Sequence, residues 1–225
     1  MEILSSRVNA VLDCTLKGDV QALSLLFEDP ADPGQEKATS QLLEQDLIGR
    51  NALFSACILG RCEIIKELVK YGANVNIQTV RGYSPLHCAA AWGQLEVLKC
   101  LVELRADIKA CNFCNENASE LAARYNQVEC ADFLAWAEAK HDLKLYIGIT
   151  QKSITDLEKI PGKLGKEYKN QTMNACKSKN DWLEHTKNPT TQDFVEQRQH
   201  LETIMQTILS KINTSRPESE KSHKR

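Results

Sequence analysis

Two pairs of residues have the types and spacing for chemistry. The first is His87 and Cys88, within Ser84-Pro85-Leu86-His87-Cys88-Ala89. A histidine can act as a general base or a metal ligand near neutral pH. A cysteine beside it suggests an activated thiol. Adjacent residues in a helix point about 100° apart and do not face each other. The preferred reading of His87 is therefore structural, bonded to Ser84 and to backbone near the neighbouring turn. The second pair is Cys111 and Cys114 in Cys-Asn-Phe-Cys. A structural zinc site needs four nitrogen or sulfur ligands. No second CxxC and no HxxxH follows. There is no GxxxxGK[ST] or GxGxxG to cradle phosphate, and no paired carboxylates or Ser/His/Asp set stands out. No catalytic residue, metal ligand or cofactor is expected.

The elements around His87 explain its place. Ser84 is suited to an N-cap, and Pro85 then falls at the first helical position, where its missing N–H costs nothing. Leu86, Ala89 and Ala90 share one face. Gly93 ends this short helix. Leu95, Val97, Leu98, Leu101 and Val102 mark a second, amphipathic helix. Such a unit is too small to bury its own apolar face and needs neighbours on both sides.

The neighbours recur at a fixed period. Gly49, Leu53, Ala56 and Gly60 lie 33 residues before Gly82, Leu86, Ala89 and Gly93. Ala122 and Asn126 lie 33 residues after Ala89 and Gly93. This period, with Ser-Pro-Leu-His in place of Thr-Pro-Leu-His, resembles ankyrin repeats. Lys70-Tyr71-Gly72-Ala73-Asn74-Val75-Asn76 looks like that family's inter-repeat turn. In such turns asparaginyl hydroxylases modify an asparagine. Leu68 and Val75 match that pattern only in part, so an unmodified Asn76 is the preferred reading. The resemblance implies an ankyrin domain over residues 1–139. It comprises an atypical first repeat at 1–45, regular repeats at 46–78 and 79–111, and a cap repeat at 112–138. In the cap, Ala118, Ser119 and Glu120 replace Pro, Leu and His. Within the first repeat, Val8, Val11, Leu12 and Leu16 should line one helix, and Val20, Leu23, Leu25 and Leu26 the next. Glu28 to Gln45 carries turn chemistry and reads as an insertion.

The pattern stops after Ala139. His141–Leu157 reads as a helix with Ile149 among its apolar positions, broken by Ile160-Pro161-Gly162. Lys166–His185 follows, with Met173, Cys176, Trp182 and Leu183 as core candidates. Asn188-Pro189-Thr190-Thr191 reads as a turn and N-cap. Gln192–Ile212 is the last helix, with Leu209 on its apolar side. Together, 140–213 predicts a helical bundle and 214–225 a disordered tail. Leu143 to Ile212 is similar to the helical lid of the seventy-kilodalton heat-shock chaperones. Cys176, Trp182-Leu183, Phe194, Arg198, Leu201-Glu202 and Ile208 to Lys211 carry that similarity. The chain as given has no ATPase domain, β-sandwich or EEVD terminus. It ends in Lys221-Ser222-His223-Lys224-Arg225, a weak nuclear-import patch. The resemblance implies a binding surface without an ATP cycle.

The predicted fold class is thus all-α: a solenoid of about four helix pairs, then a lid-like bundle. The 225 residues carry a net charge of -2 and nine scattered cysteines, with a pI near 6.2. No nucleic-acid partner, membrane span or signal peptide is expected, and the compartment is read as reducing. A monomer is expected.

Carried over from the ankyrin family, the turn-tip positions are Leu47, Ile48 and Arg50, then Val80, Arg81 and Tyr83, then Phe113, Cys114 and Glu116. The concave-helix positions are Ile58 and Leu59, Ala91 and Trp92, Arg124 and Tyr125. Arg50, Arg81, Tyr83, Trp92, Phe113, Arg124 and Tyr125 are the candidate partner-binding residues, because tryptophan, tyrosine and arginine dominate binding hot spots. The expected function is a non-enzymatic adaptor holding a protein partner. The resemblance also implies a cytoplasmic or nuclear setting, or one at the cilium or midbody, linked to cell division or cilia. The alternative is a regulator bound to a heat-shock chaperone or its clients through the lid-like bundle.

Overall fold

The computed structural model describes residues 9–28, 33–158 and 165–214, apart from the side chains of 33–35, 158 and 212–214. Among these residues the regular structure is entirely helical. The chain divides into two compact units, Met1–Ala137 and Glu138–Arg225. Val8, the Ile160-Pro161-Gly162 break and the tail from 215 lie outside the described residues.

The first unit stacks helix pairs: α1 (Ala10–Lys17) with α2 (Val20–Glu28), α4 (Ala52–Ile58) with α5 (Cys62–Lys70), and α6 (Pro85–Ala91) with α7 (Leu95–Glu103). The next is α8 (Ala118–Arg124) with the start of α9 (Val128–Glu158). An extra helix, α3 (Pro33–Leu43), packs on α1 and α2. The stretch expected to be an insertion of turns is thus partly helical. Pro33 fits a first helical position, and Ala38 and Leu42 are buried. The first helices α1, α4, α6 and α8 touch in series, and α2, α5 and α7 form a second row. Alanines 52, 56, 89, 90, 118 and 122 are buried. Their small side chains let the first-helix backbones approach closely. Leu16 and Leu25, expected on buried faces, are exposed. Helix α3 packs on this pair without covering them.

The same side-chain position starts each inner helix. Asn51, Ser84 and Asn117 are N-caps, accepting from Leu53, His87 and Glu120 N–H groups respectively. A second set of bonds stitches repeat to repeat. Gly60 and Gly93 end α4 and α6 in the left-handed region, at φ +74° and +68°. The residue after each reaches back over the preceding repeat. Gln94 Nε2 donates to the Ile58 carbonyl at 2.9 Å and lies over Gly60. Gln127 lies over Gly93, and Arg61 lies over Gly18. A β-carbon on Gly60 would sit 2.8 Å from Gln94 Oε1.

His87 is a third stitch. It is fully buried. Its Nδ1 accepts from the Ser84 backbone N–H at 3.2 Å, which fixes the tautomer. The Ser84 hydroxyl also meets Nδ1 at 2.8 Å. The other nitrogen, Nε2, then donates to the Glu116 carbonyl of the next repeat at 3.1 Å. Burial lowers its pKa and keeps the ring neutral.

In the second unit, α9 continues to Glu158, followed by α10 (Lys166–His185) and α11 (Thr191–Thr214). The helix expected from His141 has no separate start. No proline or glycine interrupts 128–147, and Leu134-Ala-Trp-Ala-Glu-Ala-Lys favours helix throughout. Leu143, Ile147, Ile154, Cys176, Phe194, Leu201 and Ile208 are buried. Trp182 is half-buried, edge-on to Phe194 with ring centroids 5.6 Å apart. Arg198 pairs with Asp142 at 3.4 Å and Glu202 at 3.0 Å. Ile149, Met173 and Leu209, expected on apolar sides, are exposed.

Two predictions follow from the stitches. Gly60→Ala is expected to lower stability in urea by about 2 kcal/mol, since both backbone strain and a displaced Gln94 oppose it. In a Gln94→Ala background the cost should fall to about 1 kcal/mol; equal costs would leave backbone conformation as the only role. His87 gives a pH dependence. Its folded pKa lies below the ordinary value of about 6.5. As pH falls through that value the unfolded chain takes up a proton that the folded chain refuses, so stability is lost on the acid side. Thermal melts from pH 7.5 to 5 should show a steeper loss for wild type than for His87→Asn; parallel curves would exclude this linkage.

Candidate functional site

Between the helix pairs lie three turns with one construction, here called fingers. Asp46, Thr79 and Asn112 occupy equivalent positions. The N–H of each donates to the carbonyl four residues on, at Arg50, Tyr83 and Glu116, over 2.8, 2.9 and 3.0 Å. Each side chain accepts from the backbone of its own finger. Asp46 takes Ile48 and Arg50, Thr79 takes Tyr83, and Asn112 takes Cys114 and Glu116. These bonds, with help from the Arg50 guanidinium, hold the Asp46 carboxyl below the usual range. The fingers are also bonded side by side. Val80 N–H donates to the Ile48 carbonyl at 3.1 Å, and Phe113 N–H to the Arg81 carbonyl at 3.0 Å.

This construction displays two rows of exposed apolar side chains at the 33-residue period. Leu47, Val80 and Phe113 stand at the finger tips. Leu59, Trp92 and Tyr125 stand at the C-terminal ends of α4, α6 and α8. Between the rows lie half-buried Ser55, Ile58, Cys88 and Ala91.

Five of the seven residues expected to bind a partner form one continuous cluster. The Arg81 guanidinium lies over the Phe113 ring, 5.5 Å from its centroid. Phe113 and Tyr83 have centroids 6.0 Å apart. Arg124 lies beside Tyr83, pairs with Glu116 at 3.1 Å, and lies over Tyr125 at 5.4 Å. Phe113 is 61% exposed and Tyr125 56%. Edge contact with buried His87 anchors Tyr83 beneath them, at 6.0 Å. Trp92, 61% exposed, stands outside the cluster on the middle repeat. Arg50 lies at the N-terminal end of the face, held by Asp46 at 2.8 Å. There it lines a cavity of about 490 Å³ with Asn9, Leu12, Glu44, Phe54 and Ile58. The 33-residue period alone does not show this cavity, because Asn9 and Glu44 belong to the irregular first repeat.

The residues suited to chemistry are placed differently. His87 is held by Ser84 and by the Glu116 carbonyl of the third finger. Burial pushes the Cys88 thiol up to about 11, so it stays protonated near neutrality. Cys111 and Cys114 are exposed on the third finger, and Cys111 Sγ donates to the Lys109 carbonyl at 3.4 Å. Among the described residues no group of three or more His, Cys, Asp or Glu side chains could hold a metal ion. Asn76 Oδ1 accepts from Asp107 N–H at 2.8 Å, which ties one inter-repeat turn to the next. No described helix is long and apolar enough to cross a membrane.

The comparisons agree with this geometry. A family model described as ankyrin repeats, three copies, matches residues 10–112 and 81–145. Similar proteins share the name ankyrin repeat domain-containing protein 45. The chain is 50% identical to that of Homo sapiens over 92% of its own length and 77% of the relative's. It is 45% identical to that of Danio rerio, over 98% and 99%. For Mus musculus the identity is 52%, over 92% and 84%. With its 33-residue period, its stacked fingers and helix pairs, and these matches, the chain belongs to the ankyrin repeat family.

Proposed function

We propose that this chain is a non-enzymatic adaptor that holds a protein partner against its fingers and first-helix row. The observation that supports this reading is the cluster of Arg81, Phe113, Tyr83, Arg124 and Tyr125, with Trp92 beside it. Tyrosine and tryptophan bury much area at little entropic cost, and with arginine they dominate interface energies. Here the clustered side chains are pre-positioned by ring–ring and cation–ring contacts, so less freedom is lost on binding. The mechanism is surface complementarity, and no bond is made or broken. The resemblance supports a cytoplasmic setting linked to cell division or cilia. Full-length chain used as bait in cell extract should retain a specific partner. Trp92→Ala with Arg81→Ala should weaken that partner by about 30-fold, the loss of one hot spot. Because both side chains are exposed, the melting temperature should move by no more than about 3 °C. A large fall in melting temperature, or a partner retained unchanged, would remove the site assignment.

The similarity of residues 143–212 to a chaperone lid supports a second reading, in which the bundle engages a heat-shock chaperone or its clients. The full chain mixed with a purified seventy-kilodalton chaperone should then form a complex that survives the Trp92 and Arg81 substitutions. Absence of any complex would end this reading.

A further inference from the structure

We propose that the partner segment is acidic and apolar: an extended stretch that sets a carboxylate on Arg81 between two apolar side chains seated at Val80 and Phe113. The inference rests on the adaptor reading above and specifies its partner.

The charges on the face carry the argument. Neither α4 nor α6 carries a charged side chain, since its one titratable histidine is buried and neutral. The fingers and α8 supply Asp46, Arg50, Arg81, Glu116, Glu120 and Arg124. Most of these are already matched. Asp46 holds Arg50 at 2.8 Å. Glu116 holds Arg124 at 3.1 Å and also accepts from Asn112 Nδ2 at 3.0 Å. Glu120 caps its own helix, accepting from Asn117 N–H at 2.9 Å. Arg81 is left over. Among the described residues no carboxylate lies within ion-pair distance of it, and its recorded side-chain contact is the Phe113 ring at 5.5 Å. The middle of the face therefore carries one unmatched positive charge.

The chemistry of that charge is specific. A guanidinium held over a ring in this way makes no hydrogen bond through that contact, so a carboxylate can accept two of its N–H groups. The ring contact also limits the freedom the side chain would lose on binding. A basic segment would instead meet like charge, with Glu116 already engaged by Arg124.

The spacing follows from the fingers. Val80 is 75% exposed and Phe113 61%, at equivalent positions on adjacent fingers. Repeats stacked through helices lie about 10 Å apart. A segment in the polyproline II form, with three residues per turn and a rise of about 3.1 Å, covers that distance in about three residues and returns to the same face. The fitting segment is therefore apolar, two intervening residues with one acidic, then apolar.

The test is to pan the full chain against a displayed library of random peptides and to measure the winners by fluorescence anisotropy. The expected winners carry aspartate or glutamate between apolar residues three apart. Their affinity should fall about tenfold on Arg81→Gln, with an unchanged melting temperature, and should fall again as salt rises. Arg81→Glu should reverse the selection toward basic peptides. If winners lose affinity on Phe113→Ala or Trp92→Ala but are neither acidic nor sensitive to Arg81→Gln, the acidic partner is wrong and the adaptor face stands. If their binding ignores all three substitutions, both readings fail. No enrichment over a chain-free control overturns the proposal as well.

Discussion

The inner helices of this molecule are too short to exist alone. Each of α4, α6 and α8 is seven residues long, whereas an isolated helix below about 12 residues is marginal in water. Their persistence depends on lateral burial of apolar surface between successive pairs. Buried Leu53 and Leu86 stand at the same place in their repeats, and in α8, where Ser119 takes that place, Leu121 is buried two residues further on. Each contributes about 2 kcal/mol relative to exposure. The alanines beside them keep the backbones close enough for that burial to be complete. A single pair would leave this surface in water, so every other feature presupposes the stack.

Burial has no direction of its own, and hydrogen bonds set the register. Gln94 on the Ile58 carbonyl, His87 on the Glu116 carbonyl and Asn76 on the Asp107 amide each join one repeat to the next. All three act on backbone groups of the neighbouring repeat. Glu116 shows how closely frame and surface are coupled. Its carbonyl accepts from His87 and from Asn112 N–H, while its carboxylate holds Arg124. The residue that receives the last stitch from the middle repeat also positions a cation on the exposed cluster.

Much of this frame was legible in the residues. The recurrence of Gly60 and Gly93, the Ser84-Pro85 start and the small residues between them identify the regular repeats without coordinates. The exposed tips follow from the same period, because a position fixed in one finger is fixed in the next. Where periodicity ends, the reading weakens. Helix α3 occurs once, so no second copy marks it, and Asp29-Pro30 and Asp32-Pro33-Gly34 read as turns although Pro33 begins a helix. The continuity of α9 was obscured because a repeat boundary was expected at Ala139, while local propensity across 128–147 favours one uninterrupted helix. Leu16 and Leu25 carry the apolar period of a buried face, but the irregular α3 that packs on their pair leaves them exposed. The clustering of Arg81 with Phe113 and of Tyr83 with Arg124 joins side chains from different repeats, which the order of residues does not reveal by itself.

Asp46, Thr79 and Asn112 build the same finger with three different side chains. The requirement at that position is an acceptor oxygen, which several residue types supply. The next two positions, Leu47 and Ile48, Val80 and Arg81, Phe113 and Cys114, are then free of any duty to the turn beyond their backbone atoms. Scaffold and display therefore alternate along the chain while answering to separate demands. A lineage can rewrite what such a finger presents, one or two codons at a time, without renegotiating how the finger is made. This modularity lets one architecture diversify its recognition while its frame stands still.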